Sequence, residues 1–203
     1  MPTQRPMSFY VRGQGNLIMS RKVQPIEVLS DQSKEVFKVV NAEPDLACVL
    51  ILSSYLDQCI ASLLKQYFIS NSSIVDRLLN PHGTLGTYQS RADLSYVLGL
   101  IPKTMYQNAS TIGDIRNDFA HSHLELNFIS DEIVGKINKI KPPRIKFYIS
   151  TSGDKKEEVT LDEIIKFDGN PRLKFNIISI MTADRILLSG LSTEHRERET
   201  QGW

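Results

Sequence analysis

Residues 83–121 read GTLGTYQSRADLSYVLGLIPKTMYQNASTIGDIRNDFAH. Gly83 and Gly86 flank a loop, and Tyr88 to Leu98 has the composition of a helix. Gly99 can end that helix, and Pro102 suits the opening of the next, because proline's missing N–H has no helical partner to lose in a first turn. The second helix is expected from Lys103 to about Ala120. Met105, Ala109, Ile112, Ile115 and Phe119 recur at spacings of three and four, the mark of one buried helical face. Two helices joined by a tight corner predict a helical bundle. The two glycines are no phosphate loop, since no Lys-Ser/Thr follows them.

Upstream, Ile26 to Val40 predicts a first helix. Pro44 and Asp45 then open the clearest helix of the chain, with Asp45 complementing the positive end of the helix dipole. Leu46, Val49, Leu56, Ile60, Leu63 and Tyr67 form its stripe, widened by Leu50, Leu52 and Leu64, which predicts a central core helix. A short helix is expected from Asn71-Ser-Ser to Leu79. Downstream, Asp131 to Ile140 predicts a modest helix that Lys141-Pro-Pro143 breaks. Ile145, Phe147 and Ile149 alternate as a strand would, and residues 150–156 suggest a turn, with the run Lys155–Glu158 a solvated one. Thr160-Leu-Asp-Glu163 resembles a capping box before a short helix. Leu173 to Leu191 predicts an apolar final helix, and His195 to Trp203 a polar tail.

The expected fold is therefore mainly α: a compact helical bundle with a small β-containing C-terminal appendage. Residues 1–26 carry Arg5, Arg12, Arg21 and Lys22 but no acid, interrupted by Pro2, Pro6, Gly13 and Gly15, and read as a disordered leader. Residues 27–140 are the expected helical core, and 141–203 a strand and helix extension packing on it. With 203 residues, 41% hydrophobic and 23% charged, the chain can build a substantial core. The formal net charge of +1 argues against a surface devoted to DNA, leaving room for a local basic patch. Cys48 and Cys59 lie eleven positions apart in one predicted helix. That is roughly 16 Å of rise, too far to bridge, so two buried free thiols in a reducing compartment are expected. No uninterrupted run of about eighteen apolar residues is present, so no membrane span is expected and the location is read as cytoplasmic.

Near the end of the second quoted helix stand Arg116, Asn117 and His121. On an ideal helix centred on Ile112, Arg116 lies about 40° from the middle of the buried face and His121 about 180°. Arg116 is thus expected at the core rim, with His121, Asn117 and Asp114 on the polar face and about 140° between Arg116 and His121. Structural duty is the first reading: Arg116 can bond carbonyls or carboxylates, and His121 complements the negative end of the dipole. Asp57, on an otherwise apolar helix, calls for a cationic partner, with Arg91 and Arg116 the candidates, because a buried charge is costly unless paired. His123 reads as a solvated loop histidine. No metal-ligand spacing or cofactor motif is present, so no metal and no cofactor are expected.

The blocks Leu85-Gly-Thr-Tyr-Gln-Ser-Arg-Ala92, Tyr96-Val-Leu-Gly-Leu-Ile101 and Ile115-Arg-Asn-Asp-Phe-Ala-His121 resemble the mannitol operon repressor (MtlR) family. The Asp45–Leu64 helix is similar to that family's opening helix, and the likeness spans roughly residues 43–135. It implies a helical transcriptional regulator or adaptor, not an enzyme. Such a protein lacks a standard DNA-reading motif and acts through a protein partner, as a homodimer. Asp57, Tyr88, Arg91, Arg116, Asn117 and His121 would then serve the core or an interaction. The sequence is in keeping, having no helix-turn-helix with a basic recognition helix. Arg116-Asn117-Asp-Phe-Ala-His121 also resembles the motif of HEPN domains, whose RNase members carry an arginine, a polar residue and a following histidine. The alternative it implies is a metal-independent RNase of a toxin or defence system. In it His121 serves as general base or acid on a ribose 2′-OH, Arg116 offsets phosphate charge and Asn117 orients the site. RNA is a partner only in that alternative.

Overall fold

The computed structural model describes residues 9–10, 29–68, 72–122, 126–150 and 156–191. Among them are eight helices: α1 (Asp31–Ala42), α2 (Asp45–Tyr67), α3 (Ser72–Leu79), α4 (Tyr88–Val97), α5 (Lys103–His121), α6 (Asp131–Ile137), α7 (Leu161–Asp168) and α8 (Pro171–Leu191). Three strands, β1 (Phe9–Tyr10), β2 (Lys146–Ser150) and β3 (Lys156–Thr160), form one antiparallel sheet in the order β1-β2-β3. The mainly helical bundle expected from the sequence is the fold observed.

Helix α2 is the axis, packed against α8, α5, α4 and α1. Val49, Leu52, Leu56, Ile60, Leu63 and Leu64 are buried along it, facing Phe175, Ile178 and Ile186 of α8 and Ile112 and Ile115 of α5 in one apolar cluster. Its stripe is narrower than the sequence suggests: among the described residues Leu46 and Leu50 remain exposed on its first two turns. α2 is long and apolar enough on average to cross a membrane, although no uninterrupted apolar run spans its most apolar stretch. Its polar residues Ser53, Ser54, Asp57 and Gln58 interrupt the run without lowering the average enough. Half of that apolar stretch is buried inside the bundle, as in a core helix.

Polar bolts tie the first and last helices together. Ser30 caps α1 by accepting from the Ser33 backbone N–H, so the helix begins five residues later than periodicity alone predicts. Asp184 of α8 accepts from the Ser30 N–H (3.0 Å) and the Ser33 hydroxyl (2.9 Å). At the other end, Arg172 donates to Asp45 (2.7 Å), to the Val40 carbonyl (2.9 Å) and to the Glu43 carbonyl, and its guanidinium lies over the Phe128 ring. Pro44 and Pro102 occupy the N-cap positions of α2 and α5, one residue ahead of the first turn in which the sequence suggested they would sit. Cys48 and Cys59 are both buried and free. Burial pushes the Cys48 thiol up to about 11 and the Cys59 thiol up to about 12.

In the C-terminal part, α6 ends at Ile137, three residues before the expected stop, and closes through turns bonding Lys139 to Lys136 and Ile140 to Ile137. Residues 156–158, read as part of a turn, belong instead to β3, paired through Lys156↔Ser150 and Glu158↔Tyr148. Pairing with an alternating apolar strand outweighs the weak strand preference of that charged run. The Thr160–Glu163 capping box is present, and α7 ends on Gly169 in the left-handed region. β1 lies inside the stretch read as a leader, with Phe9 opposite Ile149 and Tyr10 opposite Tyr148. The rest of that leader, the turn at 151–155, His123 and the tail from His195 lie outside the described residues.

Candidate functional site

The motif of residues 83–121 divides into two chemically different groups. The first centres on a buried arginine. Thr87 caps α4 by accepting from the Ser90 backbone N–H, which fixes the helix so that Arg91, one turn on, points at α2. Arg91 is 8% exposed and grips Asp57 with two bonds, Nε to Oδ1 at 2.9 Å and Nη2 to Oδ2 at 2.6 Å. Its Nη1 also donates to the carbonyls of Leu85 (2.9 Å) and Leu79 (3.4 Å). One guanidinium thereby joins α2, the end of α3, the following loop and α4, using the planar fork that lysine lacks. Of the two cations considered for Asp57, the structure gives it Arg91.

Tyr88 extends the same clamp to α5. Its hydroxyl donates to the Ala109 carbonyl at 2.7 Å, and its ring packs so close to Gly113 that an added Cβ there would sit 2.8 Å from Cε1. Burial raises the phenol far above its ordinary value, aided by the negative charges of Asp57 and Asp114. Tyr88 therefore stays a neutral hydrogen-bond donor. Gly99, with φ 72°, makes the corner between α4 and α5 in a conformation that side chains disfavour.

The second group is exposed. Arg116, Asn117 and His121 all lie on the solvent side of α5. The sequence placed Arg116 at the core rim, but Ala109, Ile112, Ile115 and Phe119 complete the buried face without it. The long side chain instead turns along the helix, and its Nη1 donates to Asn117 Oδ1 at 3.0 Å. His121 occupies the last turn, and the Ser122 N–H closes the helix on the Asp118 carbonyl. Asp118, between these groups, is taken by Lys136 of α6. The structure thus joins Asp57, Tyr88 and Arg91 into one clamp and leaves Arg116, Asn117 and His121 as a separate surface group. Among the described residues, no group of three or more His, Cys, Asp or Glu could hold a metal ion.

Sequence reasoning missed the role of Asn108 and the exposure of Tyr96 and Val97. Asn108 is 4% exposed and holds the backbone of Lys141 through both amide atoms, donating to its carbonyl (2.8 Å) and accepting from its N–H (3.0 Å). An asparagine on the buried side of a stripe was the available signal. Tyr96 and Val97 at the end of α4 are exposed, Val97 at 79%, with Tyr96 stacked on Tyr106 at 4.7 Å. Apolar residues next to a helix-ending glycine were visible, but their exposure depends on what packs nearby.

A helical bundle laid around one apolar axis, with a buried arginine clamp and a separate polar face on α5, is the class of protein defined here. A family model described as mannitol repressor (MtlR) matches residues 32–172, and the chain belongs to that family. Among solved structures, it is similar to a chain in the X-ray structure of the MtlR–HPr complex from Escherichia coli. The TM-score is 0.59 at 22% identity, over 78% of this chain and 99% of that one. At that identity the likeness is one of fold. No curated protein matches the chain.

Proposed function

We propose that this protein is an MtlR-type transcriptional regulator or adaptor that works mainly through contact with a protein partner, as a cytoplasmic homodimer. HPr is the first partner to test. The observation that carries the reading is family membership across residues 32–172, which takes in the whole clamp and the helices it joins. The solved relative whose fold is shared over 99% of its length comes from a complex with HPr. The arrangement of α4 and α5 also favours an adaptor over a base-reading protein. They follow the order of a helix-turn-helix, yet α5 carries its apolar stripe into the core, and its solvent side mixes Lys103 and Arg116 with Asp114. A recognition helix presents a base-contacting face to the major groove instead.

Calorimetric titration of the purified protein with HPr tests the proposal. Saturable binding is the expected result, and sedimentation of the free protein should give twice the chain mass. Absence of HPr binding together with tight, sequence-specific operator binding by the protein alone would overturn it.

The second reading, a HEPN-type RNase, draws on the exposure of Arg116, Asn117 and His121 on one helix, where a phosphate could reach them. Its test is cleavage of RNA in the presence of a chelator by the wild type and by His121→Ala. Loss of activity in the variant alone favours the nuclease; equal inactivity of two folded proteins eliminates it.

A further inference from the structure

Two acid-free stretches of this chain meet in space. Acids average about one residue in nine overall, yet residues 94–113 and 133–150 contain none. The buried Asn108 side chain clasps the backbone of Lys141 and so pins the second stretch to the first. The segment after α6 is held still from both sides. Ile137 and Ile140 are buried, Pro142 and Pro143 stiffen the chain, the Ile145 N–H closes a tight turn on Pro143, and Leu161 donates to the Ile145 carbonyl. With the apolar residues turned inward, Lys139, Lys141 and Arg144 are left exposed. Among the described residues, none of the three is paired with a carboxylate, whereas neighbouring Lys136 is committed to Asp118 and Glu132.

We infer that Lys139, Lys141 and Arg144 form a preorganised strip that binds the phosphate backbone of a nucleic acid without reading its bases. The inference goes beyond the adaptor reading and does not depend on it. Composition selects the partner. Lysine is depleted at protein–protein interfaces, which favour aromatic anchors, and none of the most exposed large hydrophobic side chains falls within residues 136–146. Phosphate contacts need only positive charge and hydrogen-bond donors at fixed positions, and they supply affinity and placement without sequence information. Thr104 and Gln107, exposed on the acid-free stretch of α5, add neutral donors to the same pinned pair of segments. A net charge of only +1 is compatible with this, because the field that matters is local.

The test is fluorescence anisotropy of the full chain with mixed-sequence duplexes of about 20 base pairs, DNA and RNA separately, between about 50 and 200 mM salt. The expected result is weak binding indifferent to sequence, with a log–log salt slope of about −3 for three neutralised phosphates. Lys139→Glu/Lys141→Glu/Arg144→Glu should weaken it by about tenfold or more at the lowest salt. The charge-matched control Lys38→Glu/Lys65→Glu/Arg77→Glu, whose sites lie on α1, α2 and α3, should stay within about threefold of wild type. Circular dichroism confirms that both variants fold. No wild-type binding, equal losses in the two triple variants, or a slope shallower than about −1 would each overturn the inference. So would tighter capture of a synthetic polyglutamate or of anionic phospholipid vesicles than of either duplex. HPr titration of the strip variant keeps the two proposals apart: retained HPr binding with lost duplex binding assigns them to different surfaces.

Discussion

Arg91 and Arg116 belong to the same motif, twenty-five residues apart, and do opposite work. Arg91 is buried, makes four hydrogen bonds and holds four chain segments together. Arg116 is exposed and bonds only its neighbour Asn117 among the described contacts. A charge enclosed in a bundle must be matched in place, since leaving it unpaired costs several kcal/mol. A charge on the surface is satisfied by water and remains available to a ligand or partner. One stretch of sequence can therefore contain both the rivet of a fold and its candidate working face.

Removing the rivet should have the largest effect. Arg91→Ala leaves Asp57 and two carbonyls without their donor, and we expect a loss of about 3 kcal/mol or more by chemical denaturation. Arg91→Lys, keeping the charge without the fork, should recover only part of it. Next comes Asn108→Ala, which leaves the Lys141 backbone N–H and carbonyl without their side-chain partner and should cost about 2 kcal/mol in the same measurement. Gly113→Ala would drive a methyl into the Tyr88 ring, which is tied at its far end to Ala109, and should cost about 1–3 kcal/mol. The smallest effect is expected of Arg116→Ala and His121→Ala, each within about 0.5 kcal/mol of wild type. A loss of more than about 2 kcal/mol at His121 would erase the contrast and return that residue to the scaffold. If both surface variants melt with the wild type but lose partner binding or RNA cleavage, the contrast is sharpened into a functional one.

Periodicity and punctuation made most helices legible. The i, i+3, i+7 stripe of α2, the glycine and proline at the α4–α5 corner, and the Thr160 capping box are all local signals, and each falls within a few residues of the element it marks. The charged pattern of β3 misled because its strand character comes from pairing with β2 and not from its own residues. At the candidate site, Asp57's need for a cation could be read from one carboxylate on an apolar helix. The choice between Arg91 and Arg116 could not, because both lie within reach in any bundle drawn from helical wheels. Asn108 was hidden for a similar reason: its partner, the Lys141 backbone, is thirty-three residues away and leaves no mark on the sequence.

By itself the sequence determined the helical class, the central place of α2, the corner between α4 and α5, and the family resemblance carried by residues 83–121. These follow from forces acting between residues a few positions apart, which leave a periodic or terminal signature in the chain. Only the tertiary structure decided which polar residues are enclosed and which meet solvent: Arg91 with Asp57 inside, Arg116 and His121 outside, and the Lys139–Arg144 strip set rigidly on the surface by Asn108. That division depends on which helix happens to cover which face. The cost of burying a charge is fixed by the surroundings of a side chain, not by its neighbours in sequence.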